Sequence, residues 1–240
     1  MHNISSITSA NNTPPPAVPW TPRDVSWGLA AFAIWIGVFL VIGLIGEHFK
    51  LGIDPSITVI FGTSLLLIPA WYFTVYKYKV GWTALGLGRF KLTDIGLGCG
   101  LMTASLLFNL LYAAFLGLFG LQMQPDVDIM FNSTAFPFIL LFGGAVVAPF
   151  VEEVFFRGFV FAGLRNKWSW PKAAAISAAL FAVAHVVPTS ILPIFILGFI
   201  FAFLYQFSGS IWPAIFMHML TNTVALSLAY AVSQGWVPAP

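Results

Sequence analysis

Residues 136–164 read FPFILLFGGAVVAPFVEEVFFRGFVFAGL, an apolar run whose only charged members are Glu152, Glu153 and Arg157. A helix that crosses a bilayer needs about 20 predominantly apolar residues, and this run is longer than that. Ionisable groups at such depth cost about 2.5–3.5 kcal/mol each on insertion scales, so they persist where they are paired or where chemistry uses them. Reading outward from this segment, the whole chain has the same character. Of its 240 residues 59% are hydrophobic and only 8% charged, against roughly 25% charged in soluble domains. Mean hydropathy is +0.92. Ten basic and eight acidic side chains cannot cover a soluble surface of this size, so lipid is the solvent for most of the molecule.

Apolar runs of spanning length fall near 27–46, 56–76, 95–120, 136–164, 170–187, 190–207 and 211–232. They predict an all-α polytopic transmembrane helix bundle of about seven spans. An eighth arises if Pro149 splits the fourth run into a re-entrant piece and a helix. Lys77, Lys79, Arg89 and Lys91 lie between spans two and three, and Arg165, Lys167 and Lys172 between spans four and five. By the positive-inside rule both connections face the cytoplasm, which places the N-terminus there too. Asp126 and Asp128, after span three, come without a basic residue and suit the opposite side. Residues 1–24, rich in Asn, Ser, Thr and Pro, read as a disordered tail without a signal peptide. Residues 25–135 then form an N-terminal group of spans, 136–232 a catalytic core and 233–240 a C-terminal tail. Gly96 and Gly100 form a small-xxx-small spacing that suits close helix packing. Trp20, Trp27, Trp71, Trp82, Trp168, Trp170, Trp212 and Trp236 lie near span ends, as interfacial anchors do.

Function classes narrow quickly. A net charge of +2 with no basic stripe argues against a nucleic-acid partner. The lone Cys99 excludes an internal disulfide and any multi-cysteine metal site. The informative groups are the polar ones inside spans: Glu152, Glu153 and Arg157 in the fourth, His185 in the fifth, His218 and Asn222 in the seventh. Glu153 and Arg157 stand four apart with the acid first, the favourable ion-pair order on a helix. Glu152 points about 100° away and has no basic residue on its own helix to neutralise it. A structural pair is therefore assigned to Glu153 with Arg157, and a general base to Glu152. His185 shares a face with Phe181, and His218 with Asn222, each four apart. Counted from the cytoplasmic helix ends, Glu152 lies about 18–20 Å deep, His185 about 20–23 Å, His218 about 10 Å and Asn222 about 16 Å. One site in the cytoplasmic half or at mid-membrane is consistent with these depths.

A carboxylate beside an imidazole can take the proton of a water, and an imidazole with a carboxamide can donate to a developing oxyanion. That inventory suits amide hydrolysis with no cofactor. The alternative is a single zinc held by Glu152, His185 and His218, against which stand the absence of HExxH and the poor fit of Asn222 as a ligand. His185, His218 and Asn222 could also be plain interhelical glue. A proton-coupled transporter is disfavoured, because every deep polar group lies in the second half and no inverted repeat is visible.

At these residues the sequence resembles the CPBP family of intramembrane proteases, which takes in the CAAX proteases, the bacteriocin-processing proteins and the Abi-type membrane proteins. The family's motifs EExxxR, FxxxH and HxxxN/D stand here as Glu152 to Arg157, Phe181 to His185, and His218 to Asn222. Ala148-Pro149, Gly158 and the run Ser208 to Trp212 are similar in context. The resemblance covers residues 136–232. It implies a conical cavity open toward the cytoplasm, Glu152 and His185 activating water, and His218 and Asn222 stabilising the oxyanion. It also implies a membrane-associated protein or peptide substrate, of prenylated CAAX type in eukaryotic members, with a non-catalytic scaffold or bacteriocin-immunity role as the alternative.

Overall fold

The computed structural model describes residues 15–123 and 127–238, and within them every element is helical. The helices are α1 (Pro22–His48), α2 (Pro55–Lys77), α3 (Leu92–Gly117), the short α4 (Val127–Asn132), α5 (Pro137–Leu164), α6 (Trp170–Ala184), α7 (Pro188–Ser208) and α8 (Trp212–Ser233). Most open with a proline in the first turn, where the missing N–H has no helical acceptor to lose. Thr21 and Asp24 close a reciprocal cap at the start of α1, and Asp54 caps α2. A multi-pass membrane bundle is the result.

Six of the helices are long and apolar enough to cross a membrane. The predicted fifth span is the exception. α6 has 15 residues, so it covers about 22 Å, less than the roughly 30 Å of a hydrocarbon core. Composition could not show this, because the run stays apolar to Val187. The helix stops because Val187 is held extended by Pro188 and Val186 takes a left-handed φ of 58°. His185 thereby becomes the C-terminal cap of a short helix. No eighth segment forms among the described residues, since α5 continues through Pro149. A wide π turn at Gly143–Val147 ends two residues before that proline and relaxes the backbone where its ring would otherwise crowd the preceding turn.

A second π stretch, Val154–Phe161, is completely buried at the centre of the bundle. Wide turns leave carbonyls poorly served by the helix itself, and side chains from elsewhere serve them. Ser177 Oγ on α6 donates to Phe156 O at 2.8 Å, and Trp20 Nε1 donates to Phe159 O at 2.9 Å. The second of these bonds corrects the expectation of a loose tail over 1–24. Residues 1–14 lie outside the described residues, but 15–21 are docked on α5. Trp20 is fully buried against Gly163, and the Asn166 amide donates to the carbonyls of Val18 and Trp20. Proline content concealed that one aromatic anchor. Trp20 is accordingly a core residue and no interfacial one. Of the acidic connection after α3, Asp126 and the Asp128 side chain lie outside the described residues, as do residues 239–240 of the C-terminal tail.

The small-residue contact also moves. Added Cβ atoms at Gly96 and Gly100 would meet open space, whereas one at Gly98 would lie 2.8 Å from Met217. The close approach of α3 to α8 is therefore through the intervening glycine.

Candidate active site

The site is built around one turn of α5. Its two adjacent carboxylates point different ways, as their 100° separation requires. Glu153 and Arg157 are both fully buried, with Oε1 3.0 Å from Nη1. Arg157 Nη2 donates to the Gly198 carbonyl of α7 at 3.0 Å, and its guanidinium lies 4.4 Å from the Phe181 ring centre. Gly198 permits this approach, since a Cβ there would sit 3.0 Å from Nη2. The expected pair is thus present, but it is more than a pair. Glu153 Oε1 also accepts a hydrogen bond from His218 Nδ1 of α8 at 2.9 Å.

Glu152 faces the other way, onto the second nitrogen of the same imidazole. Its Oε2 is 3.7 Å from His218 Nε2, and its side chain retains 18% exposure. Neither carboxylate alone holds His218; the ring is sandwiched between them, stacked on Phe201 at 4.8 Å and edge-on to Phe181 at 5.6 Å. Phe181 is therefore the wall shared by Arg157, His218 and His185, whose ring centre is 4.7 Å away.

His185 Nδ1 lies 2.8 Å from the Phe181 carbonyl. A carbonyl only accepts, so Nδ1 carries a proton, and in the neutral form of the ring Nε2 is the base. Glu152 and His185 line the same cleft of about 680 Å³, with Phe32, Trp35 and Phe39 of α1 opposite them. Asn222 is the one expected residue with a different partner. Its Nδ2 donates to Gly144 O at 2.9 Å, tying α8 to the first π turn of α5.

The structure brings Glu152, Glu153, Arg157, Phe181, His185 and His218 together, whereas spacing gave no sign of Phe201, of Glu153 as a support of His218, or of the carbonyls of Gly144 and Gly198. Spacing also missed the contribution of α1 to the cleft. A glycine in the middle of α7, an otherwise strongly apolar helix, was the one available sign of the Arg157 contact. The cleft runs along α1 from Glu152 and His185 to Glu47.

Comparison with known proteins follows this geometry. The family model described as type II CAAX prenyl endopeptidase Rce1-like matches residues 134–224, the stretch that contains all three polar helices. Over residues 134–224, somewhat under half of the chain, the protein is similar to this family. The chain is also similar to a curated Bacillus subtilis (strain 168) protein named "Putative membrane peptidase YdiL". It is 34% identical over 85 residues, a stretch that is 35% of this chain and 35% of the relative. No solved structure matches. Among the described residues no three His, Cys, Asp or Glu side chains are gathered closely enough to hold a metal ion. Glu152, His185 and His218, the alternative ligand set, do not converge on one point. Nδ1 of His218 is held by Glu153 at 2.9 Å, which leaves Nε2 facing Glu152 at 3.7 Å.

Proposed function

We propose that the chain is an intramembrane endopeptidase. It hydrolyses a peptide bond near the C-terminus of a membrane-associated protein or peptide, with residues 136–232 as its catalytic core. The observation that carries this reading is the position of Glu152, on one cleft with His185 and 3.7 Å from His218 Nε2. A water in the cleft lies between the Glu152 carboxylate and the free Nε2 of His185. Glu152 takes its proton as the oxygen attacks the carbonyl carbon. The charge that develops on the carbonyl oxygen is met by His218, whose Nδ1 is held by Glu153 and whose Nε2 faces the site. Asn222 has two N–H groups; one holds Gly144 O, and the second is the further oxyanion donor. Collapse of the tetrahedral intermediate breaks the C–N bond, and Glu152 returns its proton to the departing amine.

Family likeness supports a prenylated CAAX-type substrate, and the basic connections support a cytoplasmic N-terminus. Purified wild-type protein in proteoliposomes is expected to cleave such a substrate, with and without chelator, while Glu152→Gln and His185→Ala are folded and inactive. Retained turnover in both variants, or an unchanged cellular phenotype for Glu152→Gln, would replace this reading with a binding or immunity role. Loss of activity with chelator, restored by zinc, would replace the mechanism.

A further inference from the structure

α6 covers about 22 Å and so stops short of the roughly 30 Å hydrocarbon core, which leaves residues 185–190 at membrane depth. Irregular backbone holds there only where protein serves it or where it lines a water-filled cavity. Both apply to this turn. His185 borders the cleft, while the far side of the turn is fastened to the connection after α3. Thr189 Oγ1 donates to Met123 O at 3.1 Å, and Ser190 Oγ donates to the same oxygen, whose two lone pairs serve both. A serine that precedes a regular helix ordinarily caps it. Ser190 does not, because it is buried with its hydroxyl turned to Met123 instead.

Between His185 and this anchor stands Val186, with a φ of 58°. It is the first residue beyond the helix cap, where a left-handed residue is common but is usually glycine. A β-branched residue is strained there, and such backbone persists only where its surroundings impose it. The Val186 side chain is 74% exposed, so its own packing does not. The end of α6 is correspondingly tight. The His185 N–H donates three residues back, to Ala182 O at 3.2 Å, where a regular helix would donate four back, to Phe181 O. The Phe181 carbonyl is thereby left to the His185 ring, whose Nδ1 lies 2.8 Å from it.

We propose that Ser190 is a positioning residue for His185. Its hydroxyl, anchored on Met123, keeps Val186 left-handed and the end of α6 tight, and that end reserves the Phe181 carbonyl for the imidazole. The neutral ring is then held with its proton on Nδ1 and with Nε2 as the base. Without the anchor Val186 relaxes to a negative φ, the His185 N–H reclaims Phe181 O, and the ring loses the acceptor that fixes its tautomer. The consequence for rate rests on the proteolytic reading of the Glu152 site; the consequence for the ring does not.

The test uses the full chain in nanodiscs, with histidine labelled at its ring nitrogens and spectra recorded at a pH where the ring is neutral. The His185 signals are identified by their loss in His185→Ala. Wild type is expected to give two well-separated signals, a protonated Nδ1 and a bare Nε2. Ser190→Ala should draw them toward one averaged value as the tautomers exchange, with the His218 signals unmoved. On the turnover side, kcat should fall about 10- to 100-fold, with KM within about twofold of wild type. Glycine takes a left-handed φ without strain, so adding Val186→Gly should restore the separated signals and bring kcat to within about threefold of wild type. A serine that merely stabilised the fold would not be rescued in this way. Thr189→Ala, which removes the second bond to Met123, should give the same changes in smaller measure, and it carries the test if Ser190→Ala does not reconstitute. Unchanged His185 signals in both hydroxyl variants, or no rescue by Val186→Gly, would overturn the inference. Signals that respond and are rescued in a protein that cuts nothing would instead uphold the positioning of His185 and remove the proteolytic reading.

Discussion

Nδ1 of His218 lies 2.9 Å from Oε1 of Glu153, the same oxygen that faces Arg157 Nη1 at 3.0 Å. One buried carboxylate therefore serves two partners, Arg157 on its own helix and His218 on α8. It neutralises the guanidinium that joins α5 to α7, and it fixes the ring of α8 that faces Glu152. The two neighbouring glutamates differ because one is locked into this pair and the other looks into the cleft.

Their substitution should separate these roles. Glu153→Gln leaves Arg157 buried without its counter-charge, and breaking such a pair costs about 3–5 kcal/mol. A large fall in the detergent melting temperature is expected, with activity lost as a consequence. Glu152→Gln should leave the melting temperature nearly unchanged and lower kcat by about 10²- to 10⁴-fold. Equal thermal losses in the two variants would refute this division.

Asn222→Ala tests a residue with two tasks. Leaving Gly144 O without its donor should cost about 1–3 kcal/mol, read by thermal melting. Removal of an oxyanion donor should lower kcat by a further factor of about 10² to 10³ at a temperature where both proteins are folded. A kcat loss no larger than the folded fraction explains would confine Asn222 to structure.

Close packing makes a graded prediction for glycines. A Cβ at position 158 would lie 2.7 Å from the Leu85 carbonyl oxygen, a backbone atom that cannot swing aside. Gly158→Ala is expected to destabilise by about 1–3 kcal/mol. At 96 and 100 the same change meets open space, and alanine should be neutral or slightly stabilising. Thermal melts of the three variants settle the order.

Asp54 gives a pH dependence outside the spans. Its carboxylate accepts from the hydroxyls of Ser56 and Thr134 and from the amides of Ser56 and Ala135, which together hold its pKa well below the usual carboxylate range. A depressed folded value means that the stabilisation is complete above the unfolded pKa of about 3.9. It is lost as pH falls through the folded value. Wild-type stability should therefore decline from about pH 5 downward, and Asp54→Asn should show a flatter acid limb. Superimposable pH profiles would exclude Asp54 from the acid response.

Much of this was legible in the order of residues. Lipid is a demanding solvent, so an apolar run of spanning length announces a helix. A Glu, His or Asn inside one announces a partner or a reaction. The helical bundle and the membership of Glu152, Glu153, Arg157, Phe181, His185, His218 and Asn222 in one candidate set follow from that constraint. What lay beyond it depended on contacts between residues far apart in the chain. Helix periodicity relates neighbours three or four apart, so it could pair Glu153 with Arg157 but could not see His218 65 positions away. Likewise it could not show Trp20 closing over a π turn, Asn222 reaching Gly144, or α1 lining the cleft. Those were decided only when the helices packed, because a buried polar group takes whichever partner the surrounding helices bring within hydrogen-bonding distance.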